Sequence, residues 1–302
     1  MPVNQSRVLT PLLALGLAAA TPAVTQRPLK VLISVDMEGI GGVVTAEQLG
    51  PTGFEYQAFR EYMTAEALAA IAGAREAGAT EFVVVDSHGN AQNLLIDKFP
   101  PDVTIIRGFP RPLVMMEGID SSFAAVMFIG YHSATTNTEG VRAHTISSAN
   151  LAAVKLNGTP MPESGINAAI AGQFGVPVVL VAGDQVAVGE VKKMLGDVEG
   201  AVVKRAISFH AAATMPPAAA QALIRARAKA AIQRLKDFKP YVIPAPIRLD
   251  LTYKSYTPAE MMAYLPGIER VDAHTIRFTG RNMTEISKFL EFATSYQAGL
   301  TP

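Results

Sequence analysis

Short apolar runs and longer amphipathic stretches alternate along most of the chain. Lys30–Val35 is apolar at nearly every position, which is typical of a strand buried in a parallel sheet. Similar runs predict strands at Glu81–Val85, Val103–Ile106, Ala124–Ile129, Pro177–Val181 and Ala201–Lys204. The intervening stretches predict helices at Glu55–Ala77, Glu163–Phe174, Ala187–Leu195 and Ala218–Phe238. This repeated order predicts an α/β fold, with an open, mostly parallel sheet and helices on both faces.

A hairpin and a smaller C-terminal unit depart from this pattern. Leu151–Leu156 and Thr159–Met161 flank the dipeptide Asn157-Gly158, which favours a two-residue β-turn. Further on, the prolines of Tyr241–Tyr253 indicate an edge strand. The other elements predicted there are helices at Pro258–Tyr264 and Met283–Tyr296 and strands at Ile268–Val271 and Thr275–Phe278. We therefore predict an α/β domain over residues 28–238 and a smaller α+β unit over residues 239–302.

The N-terminal segment has the pattern of an export signal. Arg7 is its only charged side chain, and the apolar run that follows, Val8–Ala20, has the length found in signal peptides. Cleavage after Ala20 or Ala23 would remove this run, so residues 1–23 are predicted to be a signal peptide. An uncleaved anchor is the alternative, although the run is short for a membrane span of about 20 residues. We expect a periplasmic or secreted protein with no stable membrane insertion after signal cleavage.

Composition narrows the chemistry that the chain supports. Its 302 residues include 26 basic and 26 acidic side chains with no basic stripe, so we expect no nucleic-acid partner. The chain contains no cysteine, which excludes disulfides, thiolate metal sites and a cysteine nucleophile. Any metal ion must therefore be held by His, Asp and Glu, and only 5 histidines are present.

Ligand-type side chains follow three of the predicted strands. Asp36 and Glu38 follow the first strand, His88 the second and His132 the fourth. Because the carboxyl ends of parallel strands lie at one edge of a sheet, these residues are expected to converge. Residues i and i+2 of an extended chain point the same way, so both carboxylates would face the same ion. Two carboxylates and two imidazoles at one crevice indicate a metal site.

Each of these residues also has a simpler interpretation. The strand-end residues would serve equally as polar loop residues, and His144 as a surface loop histidine. Glu163 begins a predicted helix, where the helix dipole stabilises a carboxylate without any metal. His210 and His274 have no neighbouring carboxylate or glycine motif, and we predict structural or surface positions for them.

The order of several motifs gives the chain a family resemblance. These motifs are Ser34-Val35-Asp36-Met37-Glu38-Gly39-Ile40, Tyr62-Met63-Thr64-x-Glu66, Asp86-Ser87-His88, Gly130-Tyr131-His132, His144, Glu163-x-Gly165-x-Asn167 and Val181-Ala182-Gly183-Asp184. In this order they resemble the zinc-dependent D-aminopeptidases, a family of binuclear metallopeptidases. The resemblance is strongest over residues 30–205 and looser in the C-terminal part.

The resemblance implies a specific site. It implies two Zn²⁺ per subunit, and the ligands that match are Asp36, Glu38, His88, His132 and Glu163. Asp36 would bridge the ions, with Glu38 and His132 completing one site and His88 and Glu163 the other. His144 matches the catalytic residue proposed for the family. The family also implies a homo-oligomer, a decameric ring, and the release of N-terminal D-amino acids such as D-Ala from short peptides.

Other functions remain compatible with the residues. Another two-metal hydrolase, an amidase or a phosphoesterase, would use the same ligands, and Arg107, Arg111 and Arg142 would suit a phosphate group. A non-enzymatic periplasmic protein that binds metal or peptide is the third possibility. The unequal halves of the chain disfavour it, because such proteins have two similar lobes.

Overall fold

A computed structural model describes residues 1–4 and 28–297. The predicted signal peptide, residues 1–23, lies outside the described residues apart from its first four positions. Within the described ranges, no helix has both the length and the apolar composition needed to span a bilayer.

The secondary structure follows the predicted order except for an additional short strand at Ala211–Thr214, which the sequence analysis did not predict. In chain order the elements are β1 (Lys30–Val35), α1 (Tyr56–Glu76), β2 (Glu81–Asp86), β3 (Val103–Ile106), β4 (Ala125–Tyr131), β5 (Leu151–Leu156), β6 (Thr159–Pro160), α2 (Glu163–Gln173), β7 (Val178–Asp184), α3 (Gln185–Leu195), β8 (Glu199–Ser208), β9 (Ala211–Thr214), α4 (Pro217–Gln233), β10 (Ile247–Tyr253), α5 (Tyr256–Met262), β11 (Ile268–Arg270), β12 (Thr275–Gly280) and α6 (Met283–Ser295). Short 3₁₀ turns occur in several of the connections.

The larger sheet confirms the predicted α/β fold. Its 7 strands run in the order β3-β2-β1-β4-β7-β8-β9, and all neighbours are parallel except β8 and β9. Helices α1 and α4 pack together on one face, where they bury the odd-numbered side chains of β1. Helices α2 and α3 cover the opposite face.

Strand β1 lies where the direction of strand order reverses. From β1 the chain moves outward to β2 and β3, and it then returns to β4 on the other side of β1. Such a reversal leaves a crevice beyond the carboxyl ends of the strands, which is where open α/β sheets bind ligands. The carboxyl ends of β1, β2 and β4 meet at this crevice.

The second sheet joins the predicted hairpin to the C-terminal unit. Its strand order is β11-β12-β10-β5-β6. The hairpin is confirmed, and Asn157 (φ 48°) and Gly158 (φ 85°) both take the left-handed conformation of its turn. Because β5 pairs with β10, the boundary predicted at residue 239 divides one sheet between the two predicted units.

The prediction of an edge strand over Tyr241–Tyr253 is wrong. Strand β10 begins only at Ile247 and pairs with β12 on one side and β5 on the other. The prolines that suggested an edge, Pro244 and Pro246, precede the strand and therefore remove none of its hydrogen bonds.

Candidate metal centre

Two glycines bring the loop after β1 against the end of β4. The backbone N–H of Asp36 donates to the carbonyl of Ile129 (2.8 Å), and that of Gly39 donates to the carbonyl of Gly130 (2.7 Å). A Cβ atom on Gly39 would overlap the Gly130 backbone, and one on Gly130 (φ +73°) would overlap the Asp36 carbonyl. Only glycine fits both positions, and the close approach places Asp36 beside His132.

The residues predicted as metal ligands lie in one buried cluster with Asp36 at its centre. Oδ1 of Asp36 lies 3.3 Å from Nδ1 of His88, and Oδ2 lies 3.2 Å from Nε2 of His132. Glu38 Oε2 is 2.9 Å from the same nitrogen of His88, whereas Glu163 Oε2 is 3.3 Å from His132 Nε2. All five residues are at most 8% exposed.

This arrangement differs from the grouping that the resemblance implied. That grouping placed Glu38 with His132 and Glu163 with His88. The structure instead places Glu38 beside His88 and Glu163 beside His132, with Asp36 between the two pairs. The reason is positional, since His88 follows β2 on one side of β1, whereas Glu163 begins α2, which packs against β4 on the other side.

His144 completes the cluster from the loop after β4. Its ring stacks on that of His132, with centroids 4.0 Å apart and an interplanar angle of 8°. Its Nε2 lies 3.8 Å from Glu163 Oε1 and 4.0 Å from Glu38 Oε1. The residues thus form two groups suited to hold a metal ion: Asp36, Glu38 and His88, and His132, His144 and Glu163.

Backbone carbonyls orient all three imidazole rings. His88 Nε2 lies 2.7 Å from the carbonyl oxygen of Leu49, and His132 Nδ1 lies 3.1 Å from that of Ser133. His144 Nδ1 lies 2.8 Å from the carbonyl oxygen of Arg142. A carbonyl oxygen only accepts, so these nitrogens donate and the opposite nitrogen of each ring faces the carboxylates. Histidines that bind metals in proteins are oriented in this way.

Two buried atoms at the centre of the cluster lack a hydrogen-bond partner among the described residues. They are Asp36 Oδ2 and His132 Nε2, which face one another. With Nδ1 of His132 already donating, both atoms of the neutral ring and carboxylate present lone pairs, so this contact needs positive charge, which a proton on Nε2 or a bound metal ion would supply. The donor set of carboxylate oxygens and imidazole nitrogens therefore fits zinc or a similar divalent ion.

The electrostatics of the cluster also indicate a bound cation. Burial raises the pKa of Asp36, and the neighbouring Glu38 charge raises it further. Burial would lower the pKa of His88 and of His132, but Glu38 and Glu163 respectively raise those pKa values well above the usual range. Three buried carboxylates thus demand positive charge at this position, which divalent cations supply without protonating the histidines.

A hydrogen-bonded network beneath the cluster connects the elements that carry it. The Tyr131 hydroxyl on β4 lies 2.7 Å from Ser34 Oγ on β1, and it accepts a hydrogen bond from Asn167 Nδ2 on α2 (2.9 Å). Ser34 Oγ lies 2.8 Å from Ser87 Oγ, beside His88. The network fixes β1, β4, α2 and the loop after β2 relative to one another.

Lys204 on β8 holds the loop that follows β1. Its fully buried Nζ donates to the carbonyls of Ile40 (3.1 Å), Val43 (2.6 Å) and Glu38. Burial lowers the pKa of Lys204 to about 8. Glu66 on α1 also holds this loop, since its Oε1 accepts a hydrogen bond from the Gly41 N–H (3.0 Å). Sequence reasoning missed Lys204, and its only sequence signal was a lysine at the end of an apolar strand.

The remaining polar residues singled out in the sequence lie outside the cluster. Asp86 accepts hydrogen bonds from the backbone N–H groups of Asn93 (2.6 Å) and Leu94 (2.7 Å), and so shapes the loop after His88. His210 is exposed and His274 is half-buried, and neither belongs to the two metal-binding groups.

The cluster opens into a cavity of about 520 Å³. Besides the cluster, its walls include Phe109, Met115, Ile146, Ser147, Ser148, Glu291, Thr294 and Ser295. No lysine or arginine occurs among the described residues that line it. Arg111 is instead buried against the Asp86 carbonyl (3.0 Å), Arg142 lies over the Phe209 ring, and Arg107 is exposed. The cavity thus lacks the cationic side chains that would hold a phosphate group.

Comparison with known proteins gives consistent matches over most of the chain. The profile of the M55 peptidase family, described as D-aminopeptidase, matches residues 29–292. A D-aminopeptidase of Bacillus subtilis (strain 168) is 35% identical over 258 residues, which is 85% of this chain and 93% of that relative. Among solved structures, the Zn-dependent D-aminopeptidase DppA from Bacillus subtilis, "a self-compartmentalizing protease", superposes with a TM-score of 0.83. That match has 33% identity and covers 89% of this chain and 100% of the other.

Proposed function

Because the chain belongs to the M55 peptidase family of D-aminopeptidases, we propose that it is a zinc-dependent aminopeptidase that releases N-terminal D-amino acids such as D-Ala from short peptides. The observation that carries the proposal is the facing pair of unpartnered atoms, Asp36 Oδ2 and His132 Nε2, inside a cluster of carboxylates and imidazoles. The cluster opens to a cavity of about 520 Å³, which has room for a short peptide.

We propose that the site holds two Zn²⁺ per subunit. Asp36 would bridge them, because its two oxygens face different histidines. Glu38 and His88 would complete one site, and His132 and Glu163 the other. When bound, a zinc pair lowers the pKa of a shared water and polarises the substrate carbonyl.

His144 is the proposed proton carrier. Its Nδ1–H is held by the Arg142 carbonyl, so that Nε2 faces the cavity between Glu38 and Glu163. In this tautomer Nε2 would accept a proton from the water that attacks the peptide carbonyl and donate it to the amine nitrogen as the C–N bond breaks. A ring held by a backbone hydrogen bond and by stacking on His132 needs little reorganisation for this transfer.

Assembly and location extend the proposal. The structurally similar DppA is a self-compartmentalizing protease, and we propose that this chain also forms a homo-oligomer, a decamer by family resemblance. Size-exclusion chromatography with light scattering tests this, and a monomer at micromolar concentration would contradict it. For location, we propose export through residues 1–23 to the periplasm or beyond. N-terminal sequencing of the native protein is decisive, because an intact Met1 on cytoplasmic protein excludes export.

The first experiment is the hydrolysis of D-Ala and L-Ala p-nitroanilides by the mature protein. Activity is measured as purified, after chelation and after zinc is added back. Zinc-restored cleavage of the D-substrate, with little cleavage of the L-substrate, is the expected result. Bound zinc with no cleavage of either substrate would favour another two-metal hydrolase or a binding protein. Among these, a phosphoesterase is the least supported, since the described cavity walls carry no lysine or arginine.

A further inference from the structure

One carboxylate in the cavity lies outside the metal-binding cluster. Glu291, on α6, lines the same cavity as Glu38 and Glu163. It is only 9% exposed, and its buried Oε1 has no hydrogen-bond partner among the described residues. A buried carboxylate oxygen without a partner is costly, so a ligand in the cavity towards which this carboxyl group turns would gain a favourable contact.

Arg111 is the basic side chain that acts on Glu291 among the described residues. Burial raises the pKa of Glu291, and the Ser295 hydroxyl and Arg111 offset this only in part. Arg111 is engaged elsewhere, since its guanidinium donates to the Asp86 carbonyl (3.0 Å) and lies over the Phe109 ring (4.0 Å). The Arg111 charge lowers the pKa of Glu291, but the two side chains form no direct ion pair, and Glu291 Oε1 and Arg111 Nη2 both lack hydrogen-bond partners among the described residues.

The position of Glu291 on its helix adds to the negative charge. The residue lies just before the last turn of α6, where the partial negative charge of the helix dipole is greatest. No basic side chain occurs in that last turn. Thr294 and Ser295, which also line the cavity, contribute neutral hydroxyl groups only. This wall of the cavity therefore favours a positively charged ligand.

We propose that Glu291 binds an ammonium group of the peptide substrate and so contributes to substrate specificity. The inference rests on the proposed aminopeptidase function. Two ammonium groups have the required chemistry, namely the α-ammonium of the first residue and a lysine-type side chain on the second. In both cases the contact is a charge-assisted hydrogen bond that forms in the ground state, so its loss should raise KM more than it lowers kcat.

The test compares Glu291→Gln with wild type on D-alanyl-L-lysine and D-alanyl-L-norleucine, which lacks the side-chain ammonium. If Glu291 binds the side chain, the variant should show a KM at least ~10-fold higher for the lysine peptide alone. If it binds the α-ammonium, KM should rise for both peptides. KM values within twofold of wild type for both peptides would overturn the inference.

Two further variants test whether a change in KM comes from the lost charge or only from a disturbed structure. Glu285→Gln removes a charge from the same helix, but Glu285 pairs with Arg281 and does not line the cavity, so its kinetics should match wild type. Glu291→Asp keeps the charge, and its KM should fall between those of wild type and Glu291→Gln. If it instead matches Glu291→Gln while both variants unfold at the wild-type temperature, charge recognition is excluded.

Calorimetry separates this inference from the proposed function. D-alanyl-L-lysine is titrated into zinc-loaded wild type and Glu291→Gln. Binding that Glu291→Gln weakens, without turnover by wild type, would support the ammonium site and reject the aminopeptidase. Turnover by wild type, together with binding that the substitution leaves unchanged, would support the aminopeptidase and reject the ammonium site.

Discussion

The imidazole rings of His132 and His144 stack in parallel, with centroids 4.0 Å apart. They differ in what their inward nitrogens face. His132 Nε2 lies 3.2 Å from the central Asp36 and 3.3 Å from Glu163, whereas His144 Nε2 stands 3.8 Å or more from the carboxylates around it. This difference supports a ligand role for His132 and a proton-carrying role for its neighbour.

Replacing His144 tests that assignment. His144→Phe keeps a ring stacked on His132 but removes Nε2, so we expect zinc content like that of wild type and a kcat lower by roughly 10²- to 10⁴-fold. Zinc content is measured by atomic emission and kcat with the D-Ala substrate. Loss of one zinc from this variant would make His144 a ligand instead.

Substitutions of the three carboxylates should remove metal unequally. Glu38→Gln should weaken the site beside His88, and Glu163→Gln the site beside His132, so that each variant retains about one zinc after dialysis. Asp36→Ala should lose both ions while keeping the fold, because its two oxygens serve both sites. Zinc-to-protein ratios and circular dichroism provide the measurements.

The control for this series is Glu190→Gln, which removes a carboxylate that accepts hydrogen bonds from Ala134 and Asn137 outside the cluster. It should retain the wild-type zinc content. A full complement of zinc in Asp36→Ala would contradict the bridging role, and equal losses in all three carboxylate variants would contradict two separable sites.

Local pattern was sufficient to predict much of the fold and the membership of the site. Apolar runs such as Lys30–Val35 report burial directly, and the predicted bounds of β1 agree with the structure. The convergence of Asp36, His88 and His132 followed from the common edge of parallel strands. Glu163 and His144 required family resemblance, because a carboxylate at a helix start and a loop histidine are both common without a metal.

Contacts between residues that are far apart in the sequence could not be predicted from the local pattern. Which histidine faces which carboxylate depends on side-chain direction at the ends of different strands. The central position of β10 depends on β5, about 100 residues earlier in the chain. Lys204 contacts Ile40 from 164 positions away, and Glu291 reaches the cavity from the last described helix. None of these long-range pairs leaves a local signal.

The hydroxyl of Tyr131 should matter more to the metal site than to overall stability. Tyr131→Phe removes the group that joins Ser34 on β1 to Asn167 on α2, and we expect a loss of about 1–3 kcal/mol in the free energy of unfolding. Because the network fixes the ligand-bearing elements, zinc affinity and kcat should fall as well. The measurements are urea unfolding and competition with a zinc-binding dye.

Tyr253→Phe is the matched control for Tyr131→Phe. Tyr253 is also buried, but it belongs to the second sheet, and among the described residues its hydroxyl donates a hydrogen bond to the Ala293 carbonyl alone (3.4 Å). It should leave zinc affinity unchanged. Equal effects of the two variants on zinc affinity would show that the network does not position the site.

The buried carboxyl of Glu66 should make stability depend on pH. Burial raises its pKa to about 7 from an ordinary value of 4.5. The folded state therefore binds this proton more tightly than the unfolded state does, and the free energy of unfolding should fall as pH rises from about 4.5 to about 7. Glu66→Gln keeps an oxygen for the Gly41 N–H and carries no charge at any pH, so it imitates the protonated form.

Glu66→Gln and wild type should consequently be equally stable near pH 4.5 and diverge above it. The variant should be the more stable by up to about 3 kcal/mol at pH 8, since each pKa unit corresponds to about 1.4 kcal/mol. Urea unfolding of the zinc-loaded proteins at several pH values measures the difference. Glu61→Gln, on the exposed face of the same helix, should show no such divergence. A Glu66→Gln protein less stable than wild type at pH 8 would mean that the charged carboxylate stabilises the loop through Lys204, and the buried-charge account of Glu66 would then be wrong.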